Sequence, residues 1–425
     1  MTILGDLLST IFERRYRTAA PDRRDNRPTE DLVAALAGTA GEVTVVSAAS
    51  TLLQRFQEME DSEKLQLFRH LAHDMNIDPG AVRTALDAYE ATPNRKTYTA
   101  FMAAVEPKRQ ELIRRLNQIP GATEQLVRMR ADLLRLGGTD PELQALDQDF
   151  RHLFISWFNR GFLVLRPISW ESPAHILEKI IAYEAVHEIT SWEDLRSRLA
   201  PGDRRCFAFF HPSMPDEPLI FVEVALTADI PGSIQDLLAG DREPITAATA
   251  RTAVFYSISN CQDGLARISF GNSLIKQVAA DLSAELPNLK TFVTLSPIPG
   301  LTKWLSAEGI AYEDADPKLL RTLAAHYLLS ARREDGQPAD PVARFHLGNG
   351  AQVQAVHADA DTSAKGIAQS AGVMVNYLYD LGKVAQNHDR YAAAREIAAS
   401  SDIKALDAAA KKLDLRAAES EEPTS

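Results

Sequence analysis

Near Arg204 the hydrophobic pattern changes its period, and that change divides what the chain can build. Before it, apolar residues recur every three or four positions. "ASTLLQRFQEMEDSEKLQLFRHLAHDM" puts Leu52, Leu53, Phe56, Met59, Leu65, Leu67 and Phe68 at helical spacing. "DPGAVRTALDAYEA" offers Asp78 as an N-cap with Pro79 in the first turn. "YTAFMAAVEPKRQELIRRLNQI" and "ATEQLVRMRADLLRL" continue the pattern through short links. After Arg204 strand-like runs alternate with helical ones: "RRCFAFF", "LIFVEVALT", "TAVFYSIS", "SLIKQVAADLSAEL", "KTFVTLS", "LTKWLSAEG" and "DPKLLRTLAAHYLLSARR". The expected organisation is a mobile segment over residues 1–28, an α-helical bundle over 29–195, and an α/β domain with a mixed sheet over 196–425. That last domain closes on an alanine-rich helical tail beyond Asp380.

Composition removes several functions. The chain has 425 residues and a formal charge of −12, whereas a general nucleic-acid binder is basic. No apolar run reaches the length of a membrane span. Cys206 and Cys261 are the only two cysteines, which excludes a disulfide scaffold and a multi-cysteine zinc site. No H-x-x-x-H, H-E-x-x-H or G-x-S-x-G occurs, so no metal site is expected. The first residues lack the order of a secretion signal, and a cytoplasmic setting is expected.

Three stretches offer chemistry. "CQDGLARISFGNSLIK" carries Gly264 and Gly271 between a strand and a helix expected to open near Asn272, an arrangement that exposes backbone N–H groups to a phosphate. In "LSPIPGLTKWL", Ser296 stands at a strand end before two prolines and a glycine, a stiff connection. In "ARFHLGNGAQV", His346 precedes a Gly–Asn–Gly turn and is either a packing residue or a proton donor. His211, and Asn376, Tyr377 and Tyr379 of "MVNYLYDL", stand in comparable surroundings. The residues alone do not name a reaction.

Five segments, in order, resemble the malonyl-CoA decarboxylase family: "HPSMPDEPLIFVEVALT", "YSISNCQDGLARISFGNSLIK", "LSPIPGLTKWL", "ARFHLGNGA" and "GVMVNYLY". The resemblance implies a helical N-terminal domain, an acetyltransferase-like catalytic domain, and release of CO2 from malonyl-CoA to give acetyl-CoA without metal or organic cofactor. It implies Ser296, His346 and Tyr379 as active-site groups. It makes Ala266, Arg267, Ile268, Ser269, Phe270, Gly271 and Asn272 the CoA loop, with His211 also near substrate. Ser269 departs from the acidic residue expected of animal relatives. The implied partner is malonyl-CoA, and a homo-oligomer through the helical region is expected. An N-acetyltransferase on the same fold, or a non-catalytic acyl-CoA-binding protein, are the alternatives. The first would release free CoA to an amine; the second would bind malonyl-CoA without turnover.

Overall fold

A computed structural model describes residues 26–38, 41–268 and 274–413. The segment expected to be mobile lies outside the described residues up to residue 25. The chain divides into two compact units, one of Met1–Val164 with Phe210–Leu219 and Cys261–Phe270, the other of Leu165–Phe209, Ile220–Asn260 and Gly271–Ser425.

The first unit holds eight described helices: α1 (Thr29–Ala37), α2 (Glu42–Glu58), α3 (Asp61–Asp74), α4 (Pro79–Ala91), α5 (Arg95–Val105), α6 (Lys108–Leu116), α7 (Ala122–Gly137) and α8 (Pro141–Trp157). Their apolar stripes meet at Phe68, Leu112, Ile113, Leu126, Leu146 and Phe150, all buried. Each such side chain contributes roughly 1.5–3 kcal/mol. Two arginines are buried with them and paired, Arg109 with Asp149 and Arg130 with Asp147. The hairpin α4–α5 is different, for neither helix buries a residue.

In the second unit the elements run β1 (Val164–Ile168), α9 (Ala174–Tyr183), α10 (Trp192–Leu199), β2 (Arg204–His211), β3 (Met214–Thr227), α11 (Ile234–Leu238), β4 (Thr252–Asn260), α12 (Leu274–Glu285) and β5 (Thr291–Thr294). They continue through β6 (Ser296–Pro297), α13 (Leu301–Ala307), α14 (Pro317–Ser330), α15 (Pro341–Gly348), β7 (Gln352–His357), α16 (Ala364–Ser370), β8 (Met374–Leu378), α17 (Val384–Ala394) and α18 (Ser401–Ala410). The ends of β2 and β3 that meet at their hairpin fall in the first unit. The sheet order is β1-β2-β3-β4-β5-β8-β6, with β7 also on β8. Strands β4 and β5 are parallel, from Thr252↔Thr291 to Phe255↔Thr294, and α12 makes the crossover that such a pair requires. Strand β8 is antiparallel to β5, β6 and β7. Val254, Tyr256, Val293, Leu295 and Met374 form one buried cluster at the middle of this arrangement.

Local chemistry explains several of the boundaries. Four Asp-Pro pairs start helices in the same way. Asp78, Asp140, Asp316 and Asp340 each accept a backbone N–H of the first turn, and the following proline stands where no N–H is needed. Gly350 ends α15 at φ +86°, where a Cβ would collide with the Val384 carbonyl, so only glycine fits.

The expected helical stretch over 29–195 contains one strand, β1, and its last two helices belong to the sheet unit. The helical range expected over 29–195 takes in α9 and the start of α10 but could not say which core their apolar faces enter. Only Pro212 and Ser213 separate β2 from β3, and Pro215 and Pro218 lie within β3.

Candidate active site

Ser296, His346 and Tyr379 meet in the second unit. Ser296 leaves β5 after a one-residue break at Leu295 and pairs with Val375 of β8. His346 lies in the last turn of α15. Tyr379 follows β8, and its N–H donates to the Phe292 carbonyl at 2.8 Å. The Ser296 hydroxyl lies 3.3 Å from His346 Nε2, and His346 Nδ1 lies 2.8 Å from the Tyr379 hydroxyl. On its other side Ser296 Oγ donates to Thr294 Oγ1 at 2.9 Å, and that oxygen also accepts the Tyr377 N–H at 3.1 Å. All four side chains are buried. With the Ser296 O–H donated to Thr294, the assignment consistent with a neutral imidazole is Nε2–H to Ser296 and Tyr379 O–H to Nδ1.

Burial sets the charges. Desolvation lowers His346 to about 3, so the imidazole is neutral at neutral pH. Desolvation likewise raises Tyr379 well above the ordinary phenol range. Tyr377 stacks on the imidazole, centroids 4.5 Å apart and planes at 23°, and fixes the ring's tilt. Asn376 is spent on structure, donating from Nδ2 to the Thr294 carbonyl at 2.8 Å.

The stiff Pro-Ile-Pro-Gly connection has a partner that sequence reasoning missed. Asp340, the N-cap of α15, accepts the Ala343 N–H at 2.8 Å with one oxygen and the Gly300 N–H at 3.3 Å with the other. One carboxylate therefore ties the serine's loop to the histidine's helix. It is 1% exposed, and desolvation pushes it up to about 6. At Gly300 the Tyr327 hydroxyl stands where a Cβ would be, so the close approach excludes any other residue. Thr294 was readable, since residues two apart on a strand share a face. Asp340 carried only the signature of a helix start.

Of the expected CoA loop, Ala266, Arg267 and Ile268 fall in the first unit. Ala266 and Arg267 are exposed and Ile268 is buried. Arg267 adopts φ +63°. Ser269, Phe270, Gly271 and Asn272 lie outside the described residues. The geometry does not support His211 as a substrate group. Its Nδ1 accepts the Ser213 N–H at 3.1 Å, its Nε2 meets the Trp157 carbonyl at 3.2 Å, and its ring packs on Phe158. With both nitrogens taken up by backbone, it holds the β2–β3 turn.

A helical unit, a mixed α/β unit and a buried phenol–imidazole–hydroxyl chain define an α/β enzyme equipped for acid–base chemistry. Comparison with known proteins narrows that class. Residues 161–317 and 311–421 match the family profile "Malonyl-CoA decarboxylase C-terminal domain", and residues 75–158 match "Malonyl-CoA decarboxylase N-terminal domain". The chain is 33% identical to the mitochondrial malonyl-CoA decarboxylase of Anser anser anser over 80% of its own length and 79% of that protein. Crystal structures of malonyl-CoA decarboxylase from Agrobacterium vitis and Rhodopseudomonas palustris align with TM-scores of 0.85 and 0.84, at 49% and 47% identity. Both alignments cover 89% of this chain, with 99% and 98% of the respective relatives. The chain belongs to the malonyl-CoA decarboxylase family and is a carboxy-lyase.

Proposed function

We propose that this chain converts malonyl-CoA to acetyl-CoA and CO2, with Ser296, His346 and Tyr379 acting on the malonyl group. The observation that carries the reading is the continuous line of contacts Tyr379–His346–Ser296–Thr294. Loss of CO2 leaves an enolate on the thioester. The Ser296 hydroxyl, turned from Thr294 toward substrate, is a fixed donor to the oxygen on which that charge develops. His346 Nε2–H then gives a proton to the enolate carbon. Burial keeps the imidazole neutral, but a malonyl carboxylate beside it favours the imidazolium. Substrate binding thus loads the proton that the product methyl group receives, and Tyr379 holds Nδ1 in either state. Residues 266–272 bind the CoA phosphates in this reading.

Carboxyl-labelled malonyl-CoA, scored for labelled CO2 and intact acetyl thioester, tests the reaction. Solvent deuterium is expected in the acetyl methyl group. His346→Asn is expected to lose more than a hundredfold in kcat and retain malonyl-CoA binding. Free CoA released to amine acceptors, or binding without CO2, would refute the assignment.

The reading also places subunit contacts in the helical region. The α4–α5 hairpin supports it, exposing Leu86, Tyr98 and Met102 with Tyr89 and Phe101 stacked behind them. The expected setting is the cytoplasm; among the described residues no helix is long and apolar enough to cross a membrane.

A further inference from the structure

Thr294 is fully buried, yet nothing in the strand asks for its hydroxyl. Valine, with the same branched shape, suits a buried strand and brings no polar atom. The hydroxyl has two partners. The rungs Val293↔Leu378 and Ser296↔Val375 place Thr294 opposite Tyr377. The rung there is made by a side chain: the Tyr377 N–H donates to Thr294 Oγ1 at 3.1 Å, where a backbone carbonyl ordinarily accepts. The Thr294 carbonyl accepts Asn376 Nδ2 instead, at 2.8 Å. The hydroxyl oxygen is thus fixed from the backbone of β8, and its other lone pair accepts the Ser296 hydroxyl at 2.9 Å.

Ser296 has one proton to donate, and Thr294 takes it. The serine oxygen is left to accept, and His346 Nε2 faces it at 3.3 Å. A neutral imidazole carries a single ring proton. With that proton on Nε2 the ring donates to Ser296, and the bare Nδ1 accepts the Tyr379 hydroxyl 2.8 Å away. The Asn349 side chain also donates to the Tyr379 oxygen, which leaves the phenol proton to point at Nδ1. Without an acceptor at Thr294 the serine proton would have, among these groups, only Nε2 to go to. The line would then run the other way, with the imidazole proton on Nδ1.

We propose that Thr294 is a positioning residue that holds the His346 proton on Nε2, acting through the Ser296 hydroxyl. This rests on the reading of His346 as donor to the enolate carbon, since a proton on Nδ1 faces Tyr379 and not the malonyl group. The same oxygen is anchored to the backbone of Tyr377, whose ring stacks on the imidazole. One hydroxyl therefore sets both the tilt of the ring and the nitrogen that carries its proton.

Two measurements on the full chain test this. In ligand-free protein labelled at the histidine ring nitrogens, NMR signals of His346 are identified by their loss in His346→Asn. They are expected to show the proton on Nε2. Thr294→Val is expected to move it to Nδ1, and to lower kcat about tenfold or more with KM for malonyl-CoA within about threefold. Thr294→Ser is expected to restore the tautomer and most of the rate. In a Ser296→Ala background, Thr294→Val is expected to cost less than about twofold more, because the hydroxyl it acts through is gone. Where the valine variant fails to fold, Thr294→Cys, whose sulfur is a weak acceptor, is read in the same way. An Nδ1 proton in the unsubstituted protein, or a folded variant that keeps the proton on Nε2, would overturn the proposal. A proton that moves to Nδ1 while kcat stays within about twofold would instead refute His346 as the proton donor, and Thr294 would lose its part in the reaction with it.

Discussion

Replacing Gly300 by alanine isolates what the Pro-Ile-Pro-Gly connection does. Gly300 has φ −99° and ψ −2°, which alanine adopts freely, so backbone strain is not at issue. The obstacle is steric. The new Cβ would overlap the Tyr327 hydroxyl, with Tyr327 Cζ at 3.3 Å and Asp340 Oδ2 at 3.6 Å behind it. Contact distances for such atoms are near 3.5 Å, so loop and hydroxyl must separate by on the order of 1 Å. Tyr327 is 2% exposed and cannot swing away. Overpacking of this kind costs about 1–3 kcal/mol of stability. The same shift stretches the Gly300–Asp340 bond and moves Ser296 from His346, and a misplacement near 1 Å costs roughly a hundredfold in rate. That corresponds to about 2.7 kcal/mol of barrier. Gly300→Ala is therefore expected to lower kcat about a hundredfold with little change in KM. Tyr327→Phe in the same chain leaves the ring carbon as the nearest atom and is expected to restore most of the rate and stability. CO2 release and urea unfolding of the four members of this double-mutant cycle supply the numbers. A Gly300→Ala protein within twofold of the unsubstituted rate, or a double variant no better than the single one, would refute the steric argument.

Ser296→Ala is expected to lower kcat at least tenfold while leaving Kd for malonyl-CoA nearly unchanged, and Ser296→Thr to keep part of the activity; decarboxylation by the alanine variant within twofold would return the loop to a packing role. The pH profile of kcat/KM reads the free protein, where burial holds His346 down to about 3, so an acid limb near pH 6 in that profile belongs to Asp340, faced by Tyr327 and Arg344, and Asp340→Asn is expected to abolish it. The stability slopes have opposite signs. The unfolded chain holds the His346 proton that the folded one lacks between about 3 and 6.5, so that contribution falls as pH drops through this window. The folded chain holds the Asp340 proton that the unfolded one lacks between 3.8 and about 6, so that contribution is lost as pH rises through it; chemical unfolding of His346→Asn and Asp340→Asn across this range reads each slope. A fragment beginning at residue 165, which keeps α9 and α10 and lacks α1 to α8, is expected to lose solubility, checked by light scattering; a soluble monomeric fragment would contradict the subunit contacts proposed for the helical region.

The sequence by itself determined many of the helices, strands β2 to β5 and the change of pattern between the two regions, because three-to-four and alternating periodicities are local and several helix starts carry their own capping chemistry. It also supplied Ser296, His346 and Tyr379, through motifs of a few residues each. It could not show that these three touch, for they stand 50 and 33 residues apart, and only the pairing of Ser296 with Val375 and the seat of α15 bring them within hydrogen-bonding reach. It could not show that both nitrogens of His211 meet backbone groups, since an imidazole amid apolar neighbours reads the same whether its nitrogens face a ligand or a turn. Asp340 reads in sequence only as a helix cap, and its second contact is with a backbone N–H 40 residues away. Periodicity records which side of an element is buried; which element lies against that side is decided only when the whole core closes, and there the backbone amides that this carboxylate serves are set in place.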